Sequence, residues 1–444
     1  MQLEPVRYSK AYTRRVTLLL TAAYTFNSMD RSIISIIASA IKTDLKLTDT
    51  ELGLLGGTAF ALLYALGGIP MARLAERISR VNILTAALML WSGLTALCAV
   101  AGSFAQLLTI RAGVGIAEAG CSPSAHSLLS DYFEPARRSS ALSIYSGGIS
   151  LGYILAALVG GYVTQHFGWR MACVAVGVPG LATAVLIKAL VREPPRGHSD
   201  PPAAPRRALG EFSLRGEWRE LKAVGRALAA DRPILHMVLG LTIGAFAAYG
   251  FYAFLPPYFS RAFGLDYATI GIVAALSGGV AVGIGIVAGG FIADRLARRS
   301  ARWYALVPAI GGAAAVPLYV LAVQQSDWRA ATALLALAGF FQYASLGPTF
   351  GVVQNVVDVR RRATATALLY ICLSVIALGL GPLFTGWVID RFAAAGGAGL
   401  ALATRHGLYV ILAFFGWAAI HYFLAAAGLA KSLAAASSVQ SAST

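Results

Sequence analysis

Charge is scarce in these 444 residues: Asp, Glu, Lys and Arg make up 13% of the chain, about half the share of an ordinary soluble domain. With 57% hydrophobic residues beside it, that deficit excludes a water-soluble enzyme with a solvated surface. Cysteine is scarce too. Cys98, Cys121, Cys173 and Cys372 all fall in apolar runs without metal-ligand spacing, so they are expected as small packing residues, with no metal site. A P-loop and an H-E-x-x-H motif are both lacking, which leaves ATP-driven and zinc chemistry unsupported and no cofactor expected. Gly148-Ile149-Ser150-Leu151-Gly152 has the letters of a hydrolase elbow, but that turn needs a preceding strand. Here it lies in an apolar helical run, where two small residues four apart let helices approach. Gly283, Gly285 and Ala288 match a dinucleotide fingerprint only loosely, and again inside an apolar run.

What is abundant is long apolar sequence. A crossing helix needs about 20 apolar residues, and the uninterrupted runs give twelve spans: 17–41, 52–72, 82–102, 106–130, 139–164, 170–190, 233–258, 267–290, 303–322, 330–355, 364–388 and 406–429. The net charge of +16 would suggest nucleic acid in a soluble chain, but its placement indicates a bilayer. With the N-tail on the cytoplasmic side, 27 of the 36 basic residues and 12 of the 20 acidic ones fall on that side; seven basic and six acidic fall opposite. The two sides net +15 and +1, which is the pattern of basic loops that resist translocation. Both termini are therefore expected in the cytoplasm, the chain in a bacterial inner membrane as a monomer, with membrane lipids but no nucleic acid as partners. A basic tail before an apolar run, with Ala38-Ser39-Ala40, mimics a signal peptide. Asp30 and Arg31 interrupt that run and argue against cleavage.

The expected organisation is a 1–16 N-tail, a six-helix bundle over 17–191, a linker over 192–232, a second six-helix bundle over 233–430 and a disordered Ala/Ser-rich tail over 431–444. Within the Pro- and Arg-rich linker, Phe212, Leu214, Trp218, Leu221, Val224 and Leu228 stand among charges. They fit an amphipathic helix lying at the membrane interface or, equally, a solvated linker helix. The two halves repeat. ARLAERISRV (72–81) and GFIADRLARR (290–299) place Glu76-Arg77 and Arg80 in register with Asp294-Arg295 and Arg298 at an offset of 218 residues. DYFEPARR (131–138) and DVRRR (358–362) correspond likewise. Such an offset predicts two halves in parallel orientation.

On these motifs the chain resembles the major facilitator superfamily, whose pattern after the second span is G-x-L-A-D-R-x-G-R-R. The second copy has Ala297 for the inner Gly; the first departs more, with Ala72, Glu76 and Ser79 among its replacements, where Gly, Asp and Gly are usual. RAGVGIAEAG (111–120) resembles the family's R-x-x-x-G motif. MDRSII (29–34), GVGIAEAGCSPS (113–124) with His126, DYFEPARR and GWR (168–170) resemble the spinster branch, members of which are implicated in moving sphingolipids or lysophospholipids. The resemblance implies an all-α membrane protein of twelve helices in two pseudo-symmetric halves, a central cavity lined by spans 1, 4, 7 and 10, and a transporter rather than an enzyme. It also implies a latch in which Glu76 and Asp294, with Arg77, Arg80, Arg295 and Arg298, close one end. Orientation of the spans alone is the plainer reading of those charges.

Four charges remain inside the spans: Asp30, Arg31, Arg111 and Glu118. Each costs about 2.5–3.5 kcal/mol near the bilayer centre, so unpaired examples are rare. Arg111 and Glu118 are seven residues apart, two turns, and share a helix face. If spans 1 and 4 adjoin, each carboxylate can meet a guanidinium. Packing alone is one reading; the other makes Asp30 and Glu118 proton carriers and Arg31 and Arg111 a substrate site, with His126 as a relay. The spans of the second half carry no ionised side chain, but span 7 offers Phe246, Tyr249, Phe251, Tyr252, Phe254 and Tyr258, and span 10 offers Phe340, Phe341, Tyr343, Phe350, Gln354 and Asn355. With Asn27, the residues Tyr249, Tyr252, Phe341, Tyr343 and Gln354 are cavity candidates, although at least half of these aromatics should simply pack. One charged and one aromatic wall suit an amphipathic molecule whose movement is coupled to protons, with cotransport and exchange both open. Small organic anions or sugars, and a non-transporting receptor or scaffold, are the alternatives.

Overall fold

The computed structural model describes residues 8–196, 198–199, 214–357, 361–395 and 399–442. Among them there are helices and no strands. In chain order these are α1 (Lys10–Ile36), α2 (Ala38–Leu45), α3 (Asp49–Gly53), α4 (Ala59–Arg77), α5 (Arg80–Leu97), α6 (Phe104–Glu118), α7 (Cys121–Tyr132), α8 (Pro135–Ser146), α9 (Gly148–Leu190), α10 (Leu214–Ala230), α11 (Arg232–Phe263), α12 (Tyr267–Ala274), α13 (Ala281–Ala297), α14 (Trp303–Gln324), α15 (Trp328–Gln342), α16 (Leu346–Val356), α17 (Arg362–Ile371), α18 (Gly381–Ala394) and α19 (Leu400–Ala442).

Nine helices among the described residues are long and apolar enough to cross a membrane, by length and composition. One of the nine, Ser140–Leu190, runs through two of the expected spans, and its backbone breaks between them at Gly168, where φ is +83°. The expected spans 1 and 4 are helical but fall outside the nine. α1 is not apolar enough, and the fourth span is broken after Glu118 into α6 and α7. The tenth span breaks in the same way at a 3-10 turn, Tyr343–Ser345, while spans 2 and 8 both contain π-helical turns, Leu54–Thr58 and Ala275–Val280. The repeat read from charged motifs therefore recurs in the backbone, at irregularities that often accompany functional sites. Leu66, Phe167 and Phe291 are 63%, 65% and 73% exposed, an apolar surface that only lipid or a partner covers favourably.

The chain forms two compact units: Met1–Arg206 with Leu265–Ala275, and Arg207–Gly264 with Leu276–Thr444. In the first, α9 lies against α1. A Cβ at Gly152 would come 2.3 Å from the Thr25 carbonyl oxygen, and one at Gly148 2.9 Å from that of Thr21. The pair that mimicked a hydrolase elbow is thus a helix contact, reinforced where Ser28 Oγ donates to the Ile149 carbonyl at 2.8 Å. In the second unit, α10 sets Val224 (1% exposed) and Leu228 (5%) into a core with Ile234, Met237, Ala365 and Leu369, leaving Trp218 58% exposed. The apolar stripe of the linker helix is therefore used at its C-terminal end to dock on its own unit, each side chain contributing about 1.5–3 kcal/mol. α19 continues through Ala442, so the stretch expected as a disordered tail from 431 is helical over its described residues. Phe212, expected on the linker helix, lies outside the described residues.

Candidate functional site

The site is built where α1 meets α4, α5 and α6 in the first unit. Successive helix residues point about 100° apart, and Asp30 and Arg31 take different ion-pair partners. Asp30 takes Arg111, whose Nη1 donates to Asp30 Oδ2 at 3.0 Å. Arg31 takes Glu118, its Nε donating to Glu118 Oε2 at 2.7 Å. The two-turn spacing on α6 brings both of its charges onto the α1 side, as the sequence predicted. α6 comes close enough because a Cβ at Gly115 would lie 2.5 Å from the Phe60 carbonyl oxygen.

The two pairs differ in access. Side-chain exposure is 1% for Arg111 and 2% for Asp30, 0% for Glu118 and 28% for Arg31. Arg31 is the most exposed member of the cluster. Its guanidinium lies 5.0 Å from the Phe60 ring centre and 4.5 Å from that of Tyr64, two rings themselves stacked at 5.5 Å. Buried cation–π contacts of this kind are worth up to about 2 kcal/mol. Glu118 closes α6, where the helix dipole does not favour a negative charge, and among the described residues Arg31 is the cation in direct contact with it. Glu118 Oε1 and Arg111 Nε are buried with no hydrogen-bond partner. The Asp30 and Glu118 carboxyls are also within hydrogen-bonding reach of each other, an arrangement that forms a hydrogen bond only when one of them carries a proton. Thr95 Oγ1, on α5, contacts Asp30 Oδ1.

The remaining expected residues lie elsewhere. Asn27 is buried one turn before the charged pair, its Nδ2 unpartnered. His126 is not drawn into the cluster: its ring meets the edge of Tyr145 at 5.3 Å, and Tyr145 stacks on Tyr24 at 4.4 Å. In the second unit Tyr252 is only 8% exposed, its hydroxyl 3.1 Å from that of Tyr319. Phe251, Phe254 and Tyr258 are likewise buried, because this aromatic run packs α11 inside its unit. Tyr249 is 43% exposed, Phe341 and Tyr343 are half-buried, and Gln354 is exposed, with its Nε2 3.4 Å from Thr366 Oγ1.

Of the latch candidates, Arg77, Arg295 and Arg298 are exposed, Asp294 accepts a hydrogen bond from the Tyr304 hydroxyl at 3.1 Å, and the Glu76 side chain lies outside the described residues. Arg80 differs from them. It is fully buried and fastened within the first unit, to Asp131 through Nη1, to Glu193 Oε1 through Nε at 2.6 Å and to the Pro194 carbonyl through Nη2 at 2.8 Å. Burial pushes the Glu193 carboxyl up, but hydrogen bonds from the Val81 backbone, Arg80 and Ser79 outweigh it and hold the group below its usual range. Arg170 of the GWR motif pairs with Asp44 at 2.6 Å, a hydrogen bond that holds the Asp44 carboxyl low.

Sequence reasoning missed Thr95, Phe60, Tyr64 and the partners of Arg80. Each is an ordinary residue for its place, and only the packing gives it a charged neighbour.

Comparison with known proteins adds an independent line. Residues 20–382 match the family model described as Major Facilitator Superfamily. The chain is 31% identical over 372 residues to an "MFS-type efflux pump" of Mycolicibacterium smegmatis, covering 84% of this chain and 83% of that one. It is 31% identical over 224 residues to Protein spinster of Drosophila melanogaster, half of this chain and 35% of that protein. Among solved structures it is similar to a bacterial homologue of the human lysosomal transporter spinster, in an inward-facing and unoccupied conformation. That likeness has a TM-score of 0.82 at 31% identity and covers 96% of this chain and 99% of that one.

Proposed function

The chain belongs to the Major Facilitator Superfamily, is of the spinster-like type, and is a multi-pass membrane transporter rather than an enzyme; on that premise we propose that it moves an amphipathic organic molecule, lysolipid- or sphingoid-like, coupled to protons. Transport proceeds by alternating access, with 17–191 and 233–430 as rocking halves, 192–232 as their cytoplasmic link and both termini cytoplasmic.

One observation carries this reading: a four-charge cluster in which the outermost member, Arg31, is, among the described residues, the guanidinium that pairs directly with a fully buried carboxylate. An anionic head group that takes Arg31 withdraws the counter-charge from Glu118, whose other oxygen already lacks a donor. A carboxylate so placed regains neutrality by binding a proton. Substrate and proton then enter together, which makes the coupling cotransport for an anionic head. Exposed or half-buried Tyr249, Phe341 and Tyr343 support a surface for the apolar tail.

The test is uptake of a labelled anionic lysophospholipid into proteoliposomes with and without an imposed pH gradient. Gradient-driven accumulation that Arg31→Gln abolishes is the expected result. Accumulation indifferent to the gradient removes the proton coupling. Selective uptake of a sugar acid in place of the lysolipid removes the amphipathic substrate.

A further inference from the structure

Thr95 stands on α5, 1% exposed, between two oxygens that both ask for its one proton. Its Oγ1 is 2.9 Å from the Trp91 carbonyl oxygen, one turn back on its own helix, and in contact with Asp30 Oδ1 on α1. A hydroxyl donates once and accepts through its lone pairs. With Asp30 ionised, Thr95 donates to Oδ1. With a proton on Oδ1, the carboxyl donates to Thr95 Oγ1 and Thr95 donates to Trp91. Both states keep Thr95 Oγ1 and Asp30 Oδ1 hydrogen-bonded, and the change between them is a rotation of one hydroxyl.

We infer that Thr95 is a positioning residue that lets buried Asp30 take up and release a proton without leaving Oδ1 or its own hydroxyl unpaired. This rests on the proton-coupled reading above and deepens it, because it gives the second acid of the cluster a defined exchange of hydrogen bonds. The other groups facing Asp30 are Arg111 and Glu118 from α6, Cys98 from the turn after α5 and Cys173 from α9. Arg111 donates in either state, and buried thiols are weak partners. Thr95 is therefore the neutral hydroxyl that adapts, beside Glu118, whose carboxyl can itself share a proton with Asp30. Its valine isostere fills the same space and can neither donate nor accept.

The experiment is infrared titration of the purified full chain in lipid nanodiscs, from about pH 4 to about pH 9. The protonated-carboxyl C=O band that disappears in Asp30→Asn belongs to Asp30. Thr95→Val removes a charge-assisted hydrogen bond from the ionised form but only an ordinary one from the protonated form. Its titration midpoint should move up by about one pH unit, with the band at higher frequency, and Thr95→Ser should restore both. If the valine variant does not fold, Thr95→Ala is read in the same way. A band that neither hydroxyl-free variant moves overturns the role of Thr95 while leaving proton coupling intact. If Asp30→Asn removes no titrating band, Asp30 is not a proton site and both readings of it fall.

Discussion

Arginine cannot give up its proton inside a protein, whereas glutamate can accept one, so the two ion pairs of the cluster should fail differently. Asp30→Asn leaves Arg111, 1% exposed and with one nitrogen already unpartnered, as an uncompensated buried cation. Breaking such a pair from one side costs about 3–5 kcal/mol, which at about 1.4 kcal/mol per tenfold is two to more than three decades of the folding equilibrium. Nothing titrates to relieve it, so the loss is the same at any moderate pH. Arg31→Gln instead leaves Glu118 buried without its cation. That group escapes by binding a proton, so the penalty is small at low pH and grows as pH rises and the proton must leave. The assay is unfolding in mixed detergent micelles, followed by tryptophan fluorescence at two pH values. The double variant Asp30→Asn/Arg111→Gln should recover a large part of the single-variant loss. Equal, pH-independent losses for Asp30→Asn and Arg31→Gln would refute the distinction between the two pairs.

Tyr64→Leu removes one ring from under Arg31 and should weaken binding of an anionic amphiphile several-fold, corresponding to about 1 kcal/mol, with melting temperature little changed; unaltered binding in a calorimetric titration would discount the platform. Gly152→Leu drives a side chain into the Thr25 backbone and should cost at least about 1–3 kcal/mol. Gly56→Ala, with open space around its Cβ, is the control, and equal thermal stability of the two would contradict the close contact of α9 with α1. Glu193 has a folded-state carboxyl held below its ordinary value of 4.5. Its contribution is present above that value and is lost as pH falls through the lowered one; Glu193→Gln should therefore flatten the acid limb of the stability profile, and an unchanged limb would rule that contribution out.

The fold and the centre of the site were legible in the sequence for one reason: a charge in an apolar run is too costly to stand alone. That rule alone put Asp30, Arg31, Arg111 and Glu118 in one place, and the seven-residue spacing set which face they share. The repeat was legible because its motifs are charged and sit in short gaps. Packing-dependent features were not. Thr95 lies in an apolar stretch like other small residues, and Phe60 and Tyr64 become an arginine platform only because α6 presses on α4 at Gly115. Tyr252 reads as a cavity aromatic until Tyr319 is found against it. Arg80 reads as one more basic loop residue until Asp131 and Glu193, 51 and 113 positions away, close on it. The break after Glu118 lies one turn before Pro123, which has no N–H to give the Ala119 carbonyl, so the sequence did carry a mark of it.

The central claim is that occupying Arg31 makes the cluster bind a proton. It is tested most directly by adding a short-chain anionic lysophospholipid to the purified transporter in weakly buffered detergent solution and following pH with an indicator dye. The account predicts proton uptake on binding by the unaltered chain, and binding without uptake by Glu118→Gln. Binding by the unaltered chain that moves no protons, or equal uptake in the two, would contradict it.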